Sequence, residues 1–370
     1  MTSNGALDVV VLGLSLSSSW GNGHATTYRA LLKALAERGH SVTFLEREQP
    51  WYAANRDLGA PSWCRLHHYR SLAELSKFDP FLAEADAVIV GSYVPDGIAV
   101  GNHVQRVARG VMAFYDIDTP VTLASLAEGR CAYLSAEQVP GYDLYLSFTG
   151  GPMLNVIEQR HGARAARALY CSADTDTYRP IDVPKKWDLS YLGTYSPDRQ
   201  PVLERLLIEP ARLLPGKRFV VAGPQYPQSI DWPMNVERIE HVGPADHPAF
   251  YGASRWTLNV TRADMVAAGH SPSVRLFEAA ACATAIISDI WDGIETIFED
   301  GRSIMLAESA EDVLRILGGG GAARTGAAAH RVIAEGHSAR HRAGELEFHL
   351  REAARAKGGR QLETAAGAAS

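Results

Sequence analysis

The chain has 370 residues, of which 46% are hydrophobic and 21% are charged, a composition typical of a folded protein rather than a disordered or fibrous one. Its 36 basic and 42 acidic side chains give a formal charge of −6, so the sequence offers no broad positive field to a nucleic-acid backbone. We therefore expect two domains of ordinary size and no nucleic-acid partner.

The sequence also lacks the features of secreted and membrane-spanning proteins. Residues 1–8 carry no lysine or arginine, and no run of about 20 apolar residues occurs. The four cysteines form no Cys-x-x-Cys pair, which argues against a zinc site and a disulfide scaffold. We expect a cytoplasmic protein with reduced thiols and no transmembrane segment, and only weak peripheral membrane contact through the arginines between 324 and 360.

The first half of the chain alternates between strand and helix patterns. A continuous apolar run at 8–15 predicts a strand buried on both faces, and a helical spacing through Tyr28, Leu31 and Leu35 ends at Gly39. Further strands are predicted at 41–45, 87–90, 111–115 and 144–148. These patterns indicate a Rossmann-like α/β domain over residues 1–180.

The second half repeats this alternation after a turn-rich, proline-punctuated stretch at 174–187, which is typical of a linker. Strands are predicted at 188–192, 218–222, 256–260 and 285–288, with helices at 202–214 and 274–281. We expect a second Rossmann-like α/β domain over 181–330, a helical segment over 331–356 and a flexible tail over 357–370.

A carboxylate stands at an unusual place in the predicted helix at 274–281. Glu278 lies among Leu276, Phe277 and three alanines, where burying a charge is costly unless a ligand or a cation pairs with it. A ribose diol is a fitting partner, since a carboxylate accepts from both hydroxyls. The alternative is a glutamate satisfied by the start of the helix.

Residues 271–289, with 294–301 and 309–314, resemble the C-terminal lobe of the group 1 glycosyltransferases of the GT-B fold, and most closely their spore-maturation, CgeB-like branch. That family carries two glutamates separated by seven residues, the second opening a Glu-Ala-x-Ala-Cys-Gly run. Glu278 matches the second glutamate, and His270 stands at the first. Residues 193–199 resemble the family loop Gly-Arg-x-x-x-x-Lys, with Thr194 for arginine and Arg199 for lysine, and 172–180 resemble the family's hinge.

The resemblance implies an α/β protein of two Rossmann-like lobes facing a cleft, which moves a sugar from a nucleotide-diphosphate donor without a metal or other cofactor. It implies retention of anomeric configuration, with base contacts from 242–247. The acceptor stays open between a saccharide, a lipid-linked molecule and a small molecule. The donor-binding residues that it implies are Gly193, Thr194, Arg199, His270, Ser273, Arg275 and Glu278. Arg275 is either a second cation for the diphosphate or the partner of an acidic neighbour.

Two places in the first domain suggest acceptor chemistry. The loop 20–24 follows a strand and combines Trp20, two glycines and His24, which either contact a ligand or form a capping turn. Asp116 and Asp118 follow another strand, where each is either a general base or hydroxyl-orienting group or the cap of the next turn. Their Asp-x-Asp spacing is too short a motif to predict a metal site.

Other features are weaker. His337 and His341 have the spacing of a zinc-binding helix, but the required glutamate is a serine. Two other functions are compatible with the same architecture: a nucleotide-sugar epimerase, which needs a clear acid and base set, and a non-catalytic nucleotide-sugar-binding protein, which the substitutions at 194 and 270 favour.

Overall fold

The structure is a computed structural model that describes residues 5–21 and 23–368, with side chains through residue 359. It contains two compact units. The first comprises residues 1–170 together with 340–370, and the second comprises residues 171–339. This division differs from the predicted domain boundaries at 180 and 330 because the chain returns to the first unit after completing the second.

The described part of the first unit contains a parallel sheet of seven strands in the order β3-β2-β1-β4-β5-β6-β7. The strands are β1 (Asp8–Gly13), β2 (Ser41–Arg47), β3 (Arg65–Tyr69), β4 (Ala87–Gly91), β5 (Val111–Asp116), β6 (Leu144–Ser147) and β7 (Ala166–Ala168). In a doubly wound sheet of this order the chain reverses direction between β1 and β4, and ligands bind beyond the carboxyl ends of the strands at that point.

Helices cover both faces of this sheet, which is why its central strands are continuous apolar runs rather than alternating ones. All five residues of β4 are buried. The helices are α1 (His24–Glu37), α2 (Pro50–Ala53), α3 (Leu72–Leu75), α4 (Asp79–Glu84), α5 (Gly97–Val107), α6 (Thr119–Ala127) and α7 (Pro152–His161), with 3₁₀ turns at Ser76–Phe78 and Ala136–Gly141.

The second unit contains a parallel sheet of six strands, in the order β10-β9-β8-β11-β12-β13. Its strands are β8 (Trp187–Leu192), β9 (Phe219–Ala222), β10 (Val236–Ile239), β11 (Ser254–Asn259), β12 (Ala285–Ser288) and β13 (Met305–Leu306). The reversal of direction falls between β8 and β11, so the loops after these two strands occupy the ligand-binding position of the second unit.

The helices of the second unit include two π-helical segments, Glu204–Ile208 and Ile333–His337. Its α-helices are α8 (Gln200–Leu203), α9 (Glu209–Leu213), α10 (His247–Gly252), α11 (Ala263–Ala268), α12 (Val274–Ala281), α13 (Ala310–Gly319) and α14 (Ala322–Val332), with 3₁₀ turns at Pro244–Asp246 and Ile294–Thr296. The prediction of two Rossmann-like units is confirmed.

A last helix, α15 (Ala339–Ala368), belongs almost entirely to the first unit. Ion pairs attach it there, with Arg38 Nη2 2.7 Å from Glu347 Oε2 and Lys357 Nζ 3.0 Å from Asp143 Oδ2. The stretch from residue 357, which the sequence predicted to be a flexible tail, is helical to Ala368. Residues 369–370 lie outside the described part of the chain.

Candidate functional site

The loop after β8 is packed closely against the loop after β9. The Gly193 amide donates to Ala222 O over 2.8 Å. A Cβ at Gly193 would lie 2.6 Å from the Tyr191 hydroxyl, and a Cβ at Gly223, whose φ is +140°, would lie 2.1 Å from Gly193 O. Position 223 therefore requires glycine, and a side chain at Gly193 would displace the buried Tyr191 ring, so Gly193 leaves the backbone without a side chain at the carboxyl end of the sheet.

Two arginines hold this loop from different elements. Arg199, at the start of α8, donates from Nη2 to Thr194 O over 2.8 Å, and Arg275, from α12, donates from Nε to Leu192 O. Within the described residues neither guanidinium forms an ion pair with a carboxylate, and Arg199 Nε is buried without a hydrogen-bond partner. The predicted alternative, a pairing of Arg275 with an acidic neighbour, is not observed there. The positively charged side chains of Arg199 and Arg275 thus lie on either side of the loop 192–194.

Glu278 lies on the same short helix as Arg275 and is only 4% exposed. The Tyr251 hydroxyl donates to Glu278 Oε2 over 3.3 Å, and His247 Nδ1 lies 3.6 Å from the same oxygen. Burial alone would raise the pKa of Glu278, but the adjacent His247, the positive charge of Arg275 and the Tyr178 hydroxyl hold that pKa below its ordinary value. The buried carboxylate is therefore ionised and partnered by protein groups, rather than by the start of the helix.

The remaining predicted donor residues have local structural roles. Ser273 is the N-cap of α12, since its hydroxyl accepts from the Arg275 amide over 3.4 Å. His270 has a left-handed backbone, with φ +47°, and its amide donates to Asp292 O over 2.5 Å. A Cβ at Gly293 would lie 2.3 Å from His270 Nδ1, so the ring packs directly on that glycine.

Three side chains near the loop 192–194 were not identified by the sequence analysis: Tyr226, Trp232 and Arg238. The Tyr226 hydroxyl donates to Gly193 O over 3.1 Å, and the Arg238 guanidinium carbon lies 4.1 Å from the Tyr226 ring centre and 4.7 Å from that of Trp232. Arg238 Nη2 also donates to Gly223 O over 3.1 Å. Arg238, which forms cation–π contacts with Tyr226 and Trp232, is thus a third arginine beside the loops after β8 and β9. No local sequence pattern predicts this position.

In the first unit, Tyr93 connects two of the predicted catalytic residues. The Tyr93 hydroxyl donates to Asp118 Oδ2 over 2.9 Å, and its ring packs edge-on against His24, with ring centres 5.3 Å apart. His24 opens α1, Tyr93 follows β4 and Asp118 follows β5, so the ends of three neighbouring strands meet here. Tyr93 itself has φ +62°, an unfavourable backbone conformation for a residue with a side chain.

His24 is neutral at physiological pH in this setting. Burial lowers the pKa of His24 to about 4, and its Nδ1 is buried without a hydrogen-bond partner. A neutral imidazole nitrogen without a donor is able to accept a hydrogen bond from a ligand hydroxyl. Asn22, in the same predicted loop, lies outside the described residues.

Asp116 differs from Asp118 in having no exposed surface. It accepts hydrogen bonds from the Tyr145 hydroxyl over 2.5 Å, from Thr122 Oγ1 over 2.7 Å and from the Asp118 amide over 3.2 Å. Burial raises the pKa of Asp116 to about 6, although these hydrogen bonds lower it. The carboxylate fixes the loop that carries Asp118, which corresponds to the capping alternative rather than to direct contact with an acceptor.

The loop between β1 and α1 is folded around the carboxylate of Glu46. This side chain is buried, with 1% of its surface exposed. Glu46 accepts from the amides of Leu16 and Ser17 over 2.7 and 2.8 Å and from the Ser17 hydroxyl over 2.7 Å. Asp57 accepts from the Ser19 amide over 3.1 Å. These bonds fix the backbone of residues 16–19, and Trp20, the next residue, is 53% exposed.

Two other kinds of feature, a metal-binding cluster and a membrane-spanning helix, are absent from the described residues. Across residues 5–21 and 23–368, no group of three histidine, cysteine, aspartate or glutamate side chains is placed to hold a metal ion. Within the same residues, no helix combines the length and the apolar character needed to cross a membrane.

The fold is that of the GT-B glycosyltransferases. Solved structures similar to the chain include sucrose-phosphate synthase from Thermosynechococcus elongatus, with 14% identity, a TM-score of 0.68 and coverage of 94% of this chain and 98% of that one. Anabaena HepE in complex with UDP-glucose has 13% identity and a TM-score of 0.66, covering 94% and 100%. An alpha-glucosyltransferase in complex with UDP and DNA has 12% identity and a TM-score of 0.69, covering 94% and 99%.

The sequence comparison is more local. Residues 199–347 match a protein family described as glycosyl transferase-like, which is less than half of the chain. No curated protein matched the sequence. The matched segment begins at Arg199 and includes Arg275 and Glu278, so it contains most of the residues that surround the loop 192–194.

Proposed function

We propose that the protein is a glycosyltransferase that uses a nucleotide-diphosphate sugar as its donor and binds that donor on the second unit. The observation that carries this proposal is the pair of arginines that donate to the backbone carbonyls of the loop 192–194, neither of them paired with a carboxylate among the described residues. Two guanidinium groups suit the negative charge of a diphosphate. Similar structures in complex with UDP or UDP-glucose support this class of donor.

In the proposed mechanism, Arg199 and Arg275 stabilise the diphosphate as it departs, so no metal is needed for that charge. Glu278 accepts from the ribose hydroxyls, and its contacts with His247 and Tyr251 keep the carboxylate ionised and oriented. His270, Ser273 and the residues from 242 to 247 complete the donor site. Retention of anomeric configuration, a hexose donor and membership of the CgeB-like branch are part of the same proposal.

On the first unit, His24 and Asp118 are the proposed acceptor-side groups. Neutral His24 accepts a hydrogen bond from the acceptor hydroxyl, and Asp118, bonded by Tyr93, receives its proton or orients it. For Asp116 we propose the second of the two roles that the sequence left open, that of a cap, because its buried carboxylate holds the Asp118 loop in place.

The donor site is tested by titration calorimetry with UDP, ADP and GDP and with the corresponding nucleosides. For the diphosphate that binds best, Arg199→Ala and Arg275→Ala should each cost about 1.5–3 kcal/mol, the scale of a charge-assisted hydrogen bond. Nucleoside binding should barely change. The exposed Arg302, from the same unit, provides the control variant Arg302→Ala, which should bind like the wild type. Equal losses for diphosphate and nucleoside would remove the phosphate role.

Turnover distinguishes the proposed activity from the two alternatives. Incubation with a panel of nucleotide sugars and candidate acceptors should release nucleotide and form a glycosylated product, and EDTA should leave this rate within about twofold. Epimerised sugar without nucleotide release would show an epimerase instead. Binding without any conversion across the panel would favour a non-catalytic protein, and loss of turnover with EDTA that manganese restores would overturn metal independence.

A further inference from the structure

Two tryptophans of the first unit are strongly exposed at the same edge of its sheet. Trp20 is 53% exposed in the loop after β1, and Trp51 is 50% exposed on α2, which follows β2. β1 and β2 are neighbouring parallel strands, so their carboxyl ends lie side by side. Single exposed apolar side chains are common, but two tryptophans on adjacent loops form a candidate binding surface.

The two segments that carry these indoles are tied to each other. The Ser18 hydroxyl donates to Asn55 O over 2.7 Å, and Asn55 Nδ2 donates to Trp51 O over 2.7 Å. Ser17 O accepts from the amides of Asp57 and Leu58, each over 3.1 Å. The backbone segments that carry Trp20 and Trp51 are thus held together by hydrogen bonds. A ligand that contacts both side chains therefore loses little affinity to ordering of the backbone.

The charges beside the tryptophans cancel. Arg29 Nη2 lies 2.5 Å from Asp57 Oδ1, and Arg56 Nη2 lies 2.6 Å from Glu48 Oε2. Two basic and two acidic groups, already paired, give no net attraction for phosphate groups or for an anionic lipid surface. They do present several hydrogen-bond donors and acceptors around two aromatic faces, and this combination suits the hydroxyl groups and apolar ring faces of a neutral sugar.

We propose that the surface formed by Trp20, Trp51 and these two ion pairs binds a neutral oligosaccharide acceptor, with one sugar ring against each indole. The inference rests on the proposed glycosyltransferase function and narrows its acceptor to a saccharide of two or more rings. A lipid-linked acceptor held through its lipid, and a small single-ring acceptor, are the classes it excludes.

The test is titration of the full chain with maltohexaose, cellohexaose, xylohexaose and chitohexaose, followed by calorimetry and by tryptophan fluorescence. At least one hexasaccharide should bind, and its disaccharide should bind more weakly. Trp20→Ala and Trp51→Ala should each weaken the hexasaccharide by about tenfold, the effect of losing one aromatic anchor. Trp51→Phe should keep most of the affinity, and Phe348→Ala, which removes an aromatic ring 60% exposed on α15, should have no effect.

Nucleotide binding by the same variants separates this inference from the one on which it rests. Diphosphate affinity should be unchanged in Trp20→Ala and Trp51→Ala. If no hexasaccharide binds while the nucleotide binds and is turned over, the saccharide assignment is wrong and the proposed function stands. If neither binds, both fail. Binding of phosphatidylcholine vesicles that Trp20→Ala or Trp51→Ala abolishes, without hexasaccharide binding, would assign the surface to a lipid partner instead.

Discussion

Tyr93 combines an unfavourable backbone conformation with two contacts to proposed catalytic residues. Burial, together with the Asp118 carboxylate, raises the pKa of Tyr93, so its hydroxyl stays protonated and donates to Asp118 at neutral pH. The strained φ angle is maintained because the ring packs between His24 and Tyr133, whose ring centres lie 5.3 and 4.6 Å away. We therefore assign Tyr93 as a positioning residue for Asp118.

Tyr93→Phe should lower kcat by about 10- to 100-fold, the cost of misplacing a catalytic group, while donor affinity stays at the wild-type value. The acid limb of the pH–rate profile should also move, since Asp118 loses a hydrogen bond that favours its ionised form. Tyr69→Phe is the matched control, because the buried Tyr69 hydroxyl has no hydrogen-bond partner in the described structure. A wild-type rate and profile in Tyr93→Phe would refute the assignment.

The resemblance to the glycosyltransferase family was sufficient to predict that Arg199, Arg275 and Glu278 share one region of the second unit. They were not sufficient to separate Asp116 from Asp118, because two residues of the same type at the end of one strand differ only in burial. Tyr93 was beyond prediction for a similar reason. Its importance comes from a left-handed backbone and from contacts with residues far away in the chain, neither of which leaves a local pattern.

Among the secondary-structure elements, α12 ends in an unfavourable way. The resembling family has glycine after its Ala-Cys pair, but this chain has Ala283, whose φ is +54°. A left-handed residue after the last turn of a helix is where glycine is favoured, since a Cβ there is strained. Nearby, a Cβ at Gly326 of α14 would lie 2.2 Å from Ala283 O, so the backbone has no room to relax in that direction.

Ala283→Gly should stabilise the protein by about 0.5–1 kcal/mol, because relief of the left-handed strain exceeds the entropy that glycine adds to the unfolded chain. Ala327→Gly, at an exposed position inside α14, should instead cost about 1 kcal/mol. Urea denaturation of both variants with the wild type measures these changes. A destabilised Ala283→Gly would show that the left-handed conformation of Ala283 carries no strain.

The strands that the sequence analysis missed lie at the edges of the two sheets. β3 and β7 flank the first sheet, and β13 is one edge of the second. An edge strand is open to solvent along one side and needs few apolar residues, as the Arg-Leu-His-His-Tyr sequence of β3 shows. The central strands, buried on both faces, were predicted correctly because burial imposes the apolar runs that periodicity analysis detects.

At the scale of the whole molecule, the attachment of α15 to the first unit depends on ionised Glu347. Burial would raise the pKa of Glu347, but hydrogen bonds from Arg38 and Arg351 and the nearby His40 imidazole, whose Nε2 lies 3.2 Å from Glu347 Oε2, lower that pKa to about 2 from an unfolded value of 4.5. A carboxylate with a depressed folded pKa stabilises the native state above its unfolded pKa, and this contribution is lost as the pH falls from 4.5 towards 2.

Glu347→Gln should therefore lower the melting temperature by a few degrees at pH 7, and the difference from the wild type should shrink below pH 4.5. Differential scanning calorimetry over pH 3–7 measures both effects. Glu335→Gln, at an exposed glutamate of the segment Ile333–His337 for which no ion pair is described, is the control and should show no such dependence. A gap between wild type and Glu347→Gln that is the same at every pH would contradict the role of the charge.

The return of the chain to the first unit also determines the order in which the two units are completed during synthesis on the ribosome. The second unit is one uninterrupted stretch, residues 171–339, and all of its strands have been synthesised before α15 exists. The first unit begins earlier but lacks the helix that carries Glu347 and Lys357 until the last part of the described chain has emerged. The unit that starts first is thus completed last, and a nascent chain stopped near residue 340 would carry a finished second unit beside an unfinished first one.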